Sequence, residues 1–192
     1  MTFDIIRPSP RYLNVYLDTC RITWGQVHDN YILHDPTEFP KWKETIFADY
    51  RNQENGVGLP QGFVPSATFW LIQTEECLGV LNIRLSLSEK LRRYGGNIGY
   101  FVRPDRRRQG VATELIRRLP ALFRQLKIKD QCLFTCYEKN KPSLRMLEKI
   151  DGTRQEKDTI EIGGKLMPIR RFYLSPAACT AEGQLRFDYL NR

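Results

Sequence analysis

One contiguous feature constrains the fold of this chain most. It is a strand-like run, followed by a basic turn that contains glycine and then by an amphipathic helix. The run covers Asn97–Val102, the turn reads Arg107-Arg108-Gln109-Gly110-Val111-Ala112, and the helical pattern opens at Val111. Backbone N–H groups crowd together in such a turn, and with the positive end of the helix dipole they form a socket for an anion. Gly110 permits close backbone approach and the arginines add charge, which suits a pyrophosphate. On this motif alone, the alternative is a surface helix start with a solvated basic turn.

Composition places the chain among globular proteins with one domain. It has 192 residues, of which 41% are hydrophobic and 27% are charged. The sequence predicts no membrane-spanning segment, and the start, Met-Thr-Phe-Asp-Ile-Ile-Arg, lacks the regions of a secretory signal. Five cysteines without a C-x-x-C pair, and two histidines, favour buried reduced thiols over a zinc site. We therefore expect a cytoplasmic protein without a metal.

Two explanations are open for the net charge of +8: the chain binds a polyanionic partner, or the basic residues lie on a face that is exposed to solvent. The positive charge concentrates at 103–108 and continues along the following helix. No zinc finger or RNP-type motif accompanies it, so a phosphate-rich cofactor is a more economical partner than nucleic acid.

Hydrophobic periodicity divides the chain into alternating helices and strands. The predicted helices start at Ser9-Pro10, Glu38, Val111 and Asn140, and the second of them ends at Tyr50. Pro120 interrupts the third helix. The predicted strands are Ala67–Gln73, Cys77–Ser86, Asn97–Val102, Gln131–Tyr137 and a hairpin, Asp158–Ile162 with Leu166–Leu174, around Gly163-Gly164. Residues 51–66 read as a long loop, Leu87–Gly96 reads as a basic connection, and the last residues give no clear element.

The basic turn resembles the acetyl-CoA pyrophosphate loop of the GNAT N-acetyltransferase family, whose pattern is Arg/Gln-x-x-Gly-x-Gly/Ala. Asn140, Ser143, Glu148-Lys149 and Gly152 are similar to a second motif of that family, in which the asparagine contacts the CoA arm. More narrowly, four segments resemble a bacterial subgroup of acetyltransferases: Gly62–Ser66, Asn82–Leu87, Gly95–Tyr100 and Arg171–Tyr173.

This resemblance implies an α/β (α+β) fold with a central mixed, mostly antiparallel sheet, a splayed strand pair and helices on both faces. It implies a single domain over 1–192, with a helical substrate-side region (1–66), an acetyl-CoA-binding core (67–152), a C-terminal hairpin (153–174) and a tail (175–192). The pantetheine of acetyl-CoA would lie between the strands Asn97–Val102 and Gln131–Tyr137. The implied cofactor-binding residues are Tyr100, Phe101, Val102, Arg107, Arg108, Gln109, Gly110, Val111, Ala112, Thr113 and Asn140.

The implied reaction is direct attack of a primary amine, on a small molecule or peptide, upon the acetyl thioester without a covalent enzyme intermediate. Two departures from the family stand out. Leu147 replaces a tyrosine that many relatives use as general acid, and Asn97 stands where the subgroup often has a histidine. The candidate catalytic residues are therefore Asn97, Tyr137 and Ser143. These departures leave open a catalytically weak acyl-CoA-binding sensor of the same fold, with a basic nucleic-acid-binding module as a third hypothesis.

Asn82 and Arg84 are the candidate substrate-binding residues. They share one strand face, opposite Leu81 and Ile83. An arginine there can hold a carboxylate through two parallel hydrogen bonds, and the alternative is a structural ion pair with Glu38 or Glu89. The expected partner is an amine substrate, with no nucleic acid and no membrane, and the sequence leaves monomer and homodimer open.

Overall fold

A computed structural model describes residues 2–25, 33–128, 132–150 and 153–174. The chain divides into two compact units, each with its own set of contacts between residues. One comprises Met1–Ser86 with Gly99–Ala112, and the other comprises Leu87–Ile98 with Thr113–Arg192. Helices and antiparallel sheets occur together, which confirms the predicted mixed α/β class.

Four strands form the first sheet in the order β1-β2-β3-β4. They are β1 (Asp4–Ile6), β2 (Ser66–Gln73), β3 (Glu76–Arg84) and β4 (Ile98–Val102). Strand β1 pairs antiparallel with β2 and was not predicted, because three residues are too few to show a periodic pattern. Seven of the eight β2 residues are buried, which is typical of a strand that is covered on both faces.

The helices of the first unit differ from the predicted pair. Helix α1 covers Leu13–Thr23 and follows a 3₁₀ turn at Pro10–Tyr12. The single helix predicted over Glu38–Tyr50 is wrong, since the chain forms a 3₁₀ turn (Pro36–Glu38), a short α2 (Phe39–Trp42) and α3 (Ile46–Asn55). Helix α3 ends only where Gly56 adopts a φ of 73°, so the predicted loop is shorter than 51–66.

A helix that the sequence analysis missed lies in the second unit. Helix α4 covers Glu89–Tyr94 within the predicted basic connection. The Ser88 hydroxyl caps it by accepting a hydrogen bond from the Leu91 N–H at 3.3 Å. Helix α5 covers Val111–Gln125, with its first two residues in the first unit. It includes Pro120 in its interior, where the sequence predicts a kink, and continues to Gln125.

The second sheet has the order β5-β7-β6, and both of its pairings are antiparallel. Its strands are β5 (Cys132–Tyr137), β6 (Thr153–Ile162) and β7 (Lys165–Leu174). The hairpin turn is confirmed, because Gly163 and Gly164 have φ values of 56° and 75°. Helix α6 (Lys141–Leu147) follows β5. Gln131, Asp151, Gly152, Cys179 and the predicted tail lie outside the described residues.

Neither a membrane span nor a metal cluster is found within the described ranges. None of the helices there is long and apolar enough to cross a bilayer. The same ranges hold no group of three or more His, Cys, Asp or Glu side chains that could bind a metal ion.

Candidate functional site

The basic turn between β4 and α5 combines left-handed backbone with open space in front of a glycine. Arg108 and Gly110 have φ values of 60° and 84°, both in the left-handed region. Such residues turn successive N–H groups toward one side of the chain. A β-carbon at Gly110 would meet nothing within 4 Å, so the space in front of the turn is open. The N–H groups of the first turn of α5 have no partner within the helix, which leaves them for a ligand or for water.

Two of the arginines near this turn are held by acidic side chains. The Arg103 guanidinium donates two hydrogen bonds of 2.8 Å to the Asp105 carboxylate. The Arg106 guanidinium bonds to both Glu76 oxygens at 2.7–3.1 Å. Arg103 is almost fully buried, and its guanidinium keeps the pKa of Asp105 below the ordinary value. These pairs stiffen the approach to the turn and are unsuited to phosphate binding.

Arg107 and Arg108 have different surroundings. The Arg107 Nε donates to the backbone oxygen of Val102 at 3.1 Å, and the guanidinium lies 5.7 Å from the centre of the Phe101 ring. Arg107 therefore ties the turn to the end of β4. Arg108 is exposed, and no acidic side chain in the described part of the chain pairs with it. Arg108 is thus better placed than Arg107 to meet an anion.

Strand β4 is an edge strand of the first sheet. The Arg103 N–H donates to the Leu78 oxygen on β3 at 2.9 Å. Because backbone groups alternate in direction along a strand, those of Val102 and Tyr100 face away from β3. The β3 side is tightly packed, since a β-carbon on Gly79 would overlap the carbonyl oxygen of Phe101. On this outer side the Val102 carbonyl oxygen accepts a hydrogen bond from Arg107, and the Val102 N–H has the direction that pairing with an amide-bearing ligand requires.

Asn82 and Arg84 lie on a polar strip of the β2–β3 hairpin. Asn82 pairs with Thr68 and Arg84 with Ser66 across the two strands. The Asn82 side-chain nitrogen donates to the Ser66 and Thr68 hydroxyl oxygens, each at 3.1 Å. Ser66 and Thr68 are only 3% and 5% exposed. Asn82 is therefore held rigidly beside Arg84, as a binding surface requires.

The same face of the hairpin continues into an aromatic cluster that the sequence analysis missed. Tyr16 of α1 stacks on Trp70 of β2 with ring centres 4.4 Å apart. The Tyr16 hydroxyl lies 2.7 Å from His34 Nδ1 and accepts the His34 backbone N–H at 3.2 Å. Burial lowers the pKa of His34 and raises that of Tyr16, so both side chains are neutral near pH 7. The sequence placed His34 in a link and gave no signal of these contacts.

In the second unit, the end of β5 and the start of α6 bring three predicted site residues together. The Asn140 N–H donates to the Tyr137 oxygen at 2.9 Å, and Asn140 Oδ1 accepts the Ser143 N–H at 3.3 Å. The second bond confirms Asn140 as the cap of α6. Leu147, at the position of the family tyrosine, has no exposed surface and packs in the core.

The cysteine thiols are poorly suited to nucleophilic attack. Cys20, Cys77, Cys132 and Cys136 are free and buried. Burial raises the pKa of Cys20 to about 11 and that of Cys77 to about 12. It also raises the pKa of Cys132 and Cys136, with a nearby Ser143 hydroxyl partly opposing the shift at Cys136. The reactive thiolate is therefore scarce at neutral pH at all four positions.

Comparison with protein families identifies a match that covers more than half of the chain. A family model described as an acetyltransferase (GNAT) domain matches residues 26–153. A comparison with curated protein sequences gives no match.

Several solved structures share the fold over nearly their whole length. The microcin self-immunity acetyltransferase MccE, in complex with acetyl-CoA and AMP, aligns with a TM-score of 0.62 at 13% identity and covers 90% of this chain and 91% of its own. RimL, a ribosomal alpha-N-protein acetyltransferase in complex with coenzyme A, aligns with a TM-score of 0.61 at 12% identity. The alignment covers 91% of this chain and 94% of RimL. A chimera of the spermidine N-acetyltransferase SpeG from Vibrio cholerae and hSSAT aligns with a TM-score of 0.57 at 14% identity. The alignment covers 91% of this chain and 95% of the chimera.

Proposed function

Because the chain belongs to the GNAT acetyltransferase family, we propose that it transfers the acetyl group of acetyl-CoA to a primary amine of a small molecule or peptide. The turn at 107–112 is the observation that carries this proposal. It combines left-handed backbone at Arg108 and Gly110 with open space in front of Gly110. Those features suit a pyrophosphate, and acetyl-CoA is present in the MccE structure.

The donor would bind through two parts of the first unit. Its pyrophosphate accepts hydrogen bonds from backbone N–H groups of the turn and from Arg108. One of its pantetheine amides would accept a hydrogen bond from the outward-facing N–H of Val102, whose carbonyl oxygen already accepts from Arg107. The Arg107 bond to Val102 supports this arrangement, since it keeps the turn and the strand edge together.

The reaction would proceed by direct attack. The amine nitrogen forms a bond to the thioester carbon, which becomes tetrahedral, and the electron pair of the C=O double bond moves onto the oxygen. A backbone N–H stabilises the negative charge on that oxygen. The C–S bond then breaks, the nitrogen loses a proton to water, and the CoA thiolate takes one up. Tyr137 and Ser143 are the candidates for supplying that proton. The raised thiol pKa values favour this route over an acetyl-cysteine intermediate.

The acceptor would bind at the polar strip of β2–β3. Asn82, fixed by Ser66 and Thr68, presents a rigid amide beside the Arg84 guanidinium. A guanidinium favours a planar carboxylate, so we propose an acceptor that carries both an amine and an acidic group, as an amino acid or a peptide terminus does.

A second candidate is an acyl-CoA-binding sensor with weak catalysis. The buried Leu147 favours it, because no acid can act from that position. The two functions are distinguished by adding acetyl-CoA to a panel of amines and amino acids and measuring the release of CoA thiol. Amine-dependent release supports the transferase, whereas tight binding of acetyl-CoA without any amine-dependent release favours the sensor.

A further inference from the structure

The loop between α3 and β2, residues 56–65, contains a well-defined turn in the first unit. The Phe63 N–H donates to the Pro60 oxygen at 3.0 Å. Gly62, between them, has a φ of 85°. This bond and this angle are typical of a type II turn, which needs left-handed backbone at its third residue. The turn therefore holds Phe63 in a fixed place.

The end of this loop is joined to the polar strip of the β2–β3 hairpin. The Leu85 N–H donates to the Pro65 oxygen at 2.8 Å, which extends the pairing by one residue beyond Ser66 and Arg84. A β-carbon on Gly56 would lie 3.1 Å from Pro65 Cγ, so the start and the end of the loop are also close together. Compact surface loops whose ends approach each other in this way are frequently functional.

Phe63 exposes its side chain to solvent from this loop. Its exposed fraction is 65%, and every other phenylalanine in the described ranges is buried or half-buried. Phe63 precedes Ser66 by three residues, a separation that spans at most about 10 Å. Single exposed apolar residues are common on protein surfaces. Phe63 differs from them because a turn fixes it within reach of a polar strip that its own hydrogen bonds hold rigid.

We propose that Phe63 determines acceptor specificity by packing against an apolar side chain of the amino acid or peptide that is acetylated. This inference rests on the proposed function, in which Arg84 binds the carboxylate of the acceptor. The carboxylate and the side chain of one ligand would then contact Arg84 and Phe63 at the same time. An apolar side chain that covers the ring removes apolar surface of both groups from water, which favours binding. A polar side chain of the same shape would lose hydration without gaining a hydrogen bond from the ring.

The test uses leucine and asparagine as acceptors, because their side chains have nearly the same shape but only that of leucine is apolar. Each is supplied as the free amino acid and as the first residue of a dipeptide with glycine. The measured quantity is the ratio of kcat/KM for leucine to kcat/KM for asparagine. The Kd of CoA and the Tm are measured for every variant.

The variants separate the ring from exposed apolar surface in general. Phe63→Ala removes the ring, and Phe63→Leu keeps an apolar side chain in its place. Ile22→Ala is the matched control, because Ile22 is another exposed apolar residue of the first unit, at 40%. Ile22 lines a cleft with Glu75 and Glu76, at the turn of the β2–β3 hairpin. Strand β2, eight residues long, places Ser66 roughly 25 Å from that turn.

We expect wild type to favour leucine by about tenfold in kcat/KM, since the ring covers part of the apolar side chain. Phe63→Ala should reduce the preference to below about twofold, through a loss with leucine and not with asparagine. Phe63→Leu should keep a preference of at least about threefold, and Ile22→Ala should keep that of wild type. The Kd of CoA should stay within about twofold in all three variants, and the Tm should be unchanged, because the substituted side chains are exposed.

The inference is overturned if wild type shows no preference for leucine, if Phe63→Ala retains the preference, or if Phe63→Ala slows both acceptors equally. Loss of the preference in Ile22→Ala overturns it too, because the effect would then not be local to the loop. Acetylation confined to amines that lack a carboxylate also overturns it. Each of these results leaves acetyl transfer to an amine in place. A protein that binds acetyl-CoA but acetylates no amine overturns the proposed function itself, and this inference with it.

Discussion

Replacing Arg108 by alanine tests the assignment of the anion socket. Arg108 is exposed at the turn, and no acidic partner pairs with it in the described part of the chain, so its removal breaks no structural ion pair there. A hydrogen bond to a charged group contributes about 1.5–3 kcal/mol. The Kd of CoA should therefore rise by about 10- to 150-fold, since about 1.4 kcal/mol corresponds to a factor of ten.

Arg118 provides the matched control because it lies on α5 and its Nε bonds to Glu114 at 2.7 Å. Its charge is partly neutralised, and salt screens the remainder over about 8 Å at physiological ionic strength. Arg118→Ala should change the Kd by less than about twofold. Calorimetry with CoA and with pantetheine, which lacks phosphates, separates the contribution of the phosphates from that of the pantetheine arm. The Kd of pantetheine should be equal in wild type and Arg108→Ala, because Arg108 contacts only the phosphates. Equal effects of Arg108→Ala and Arg118→Ala on the Kd of CoA would refute a localised site.

Three further outcomes are expected. Gly110→Val should raise the Kd of CoA at least about tenfold, because the added side chain enters the open space in front of the turn and a β-branched residue strains the backbone at a φ of 84°; unchanged affinity in calorimetry would contradict the turn's role. Arg84→Ala should raise KM for an amino acid by about tenfold but leave KM for its amide unchanged, and an equal effect on both excludes carboxylate binding. Burial lowers the pKa of His34 in the folded protein below its ordinary value of 6.5, which the unfolded chain retains. The buried neutral imidazole therefore contributes fully to the free energy of unfolding above pH 6.5, and this contribution is lost as the pH falls through the lowered pKa. The Tm of wild type should therefore drop more between pH 7 and 5 than that of His34→Gln, and parallel curves would disprove it.

Features with a strong local signal could be predicted from the sequence. The hairpin was predictable because Gly163-Gly164 separates two strand patterns, and the start of α6 was predictable because Asn140 precedes Pro142. The basic turn was found for the same reason, since its glycine and the following amphipathic pattern are contiguous in the chain.

Features that depend on distant residues could not be predicted in this way. Arg106 reads as a free cation in the sequence, but it pairs with Glu76, thirty residues earlier. His34 reads as a loop residue, and its position depends on Tyr16 at the far side of the cluster. The Asn97 side chain likewise accepts its hydrogen bond from a distant residue, the Leu133 N–H thirty-six residues later. Periodicity and turn residues report local structure, whereas these contacts arise from the packing of separate elements.

The most direct test of the account follows the acetyl group itself. Wild-type protein is mixed with acetyl-CoA and, in turn, with each member of the panel of amines and amino acids, and mass spectrometry then measures the acetylated amine, the released CoA and the intact protein. We predict equal amounts of acetylated amine and CoA, with no acetyl group on the protein at any time. Acetylated protein that later passes its acetyl group to the amine would contradict direct attack, and the absence of acetylated amine across the whole panel would contradict the proposed acetyltransferase activity.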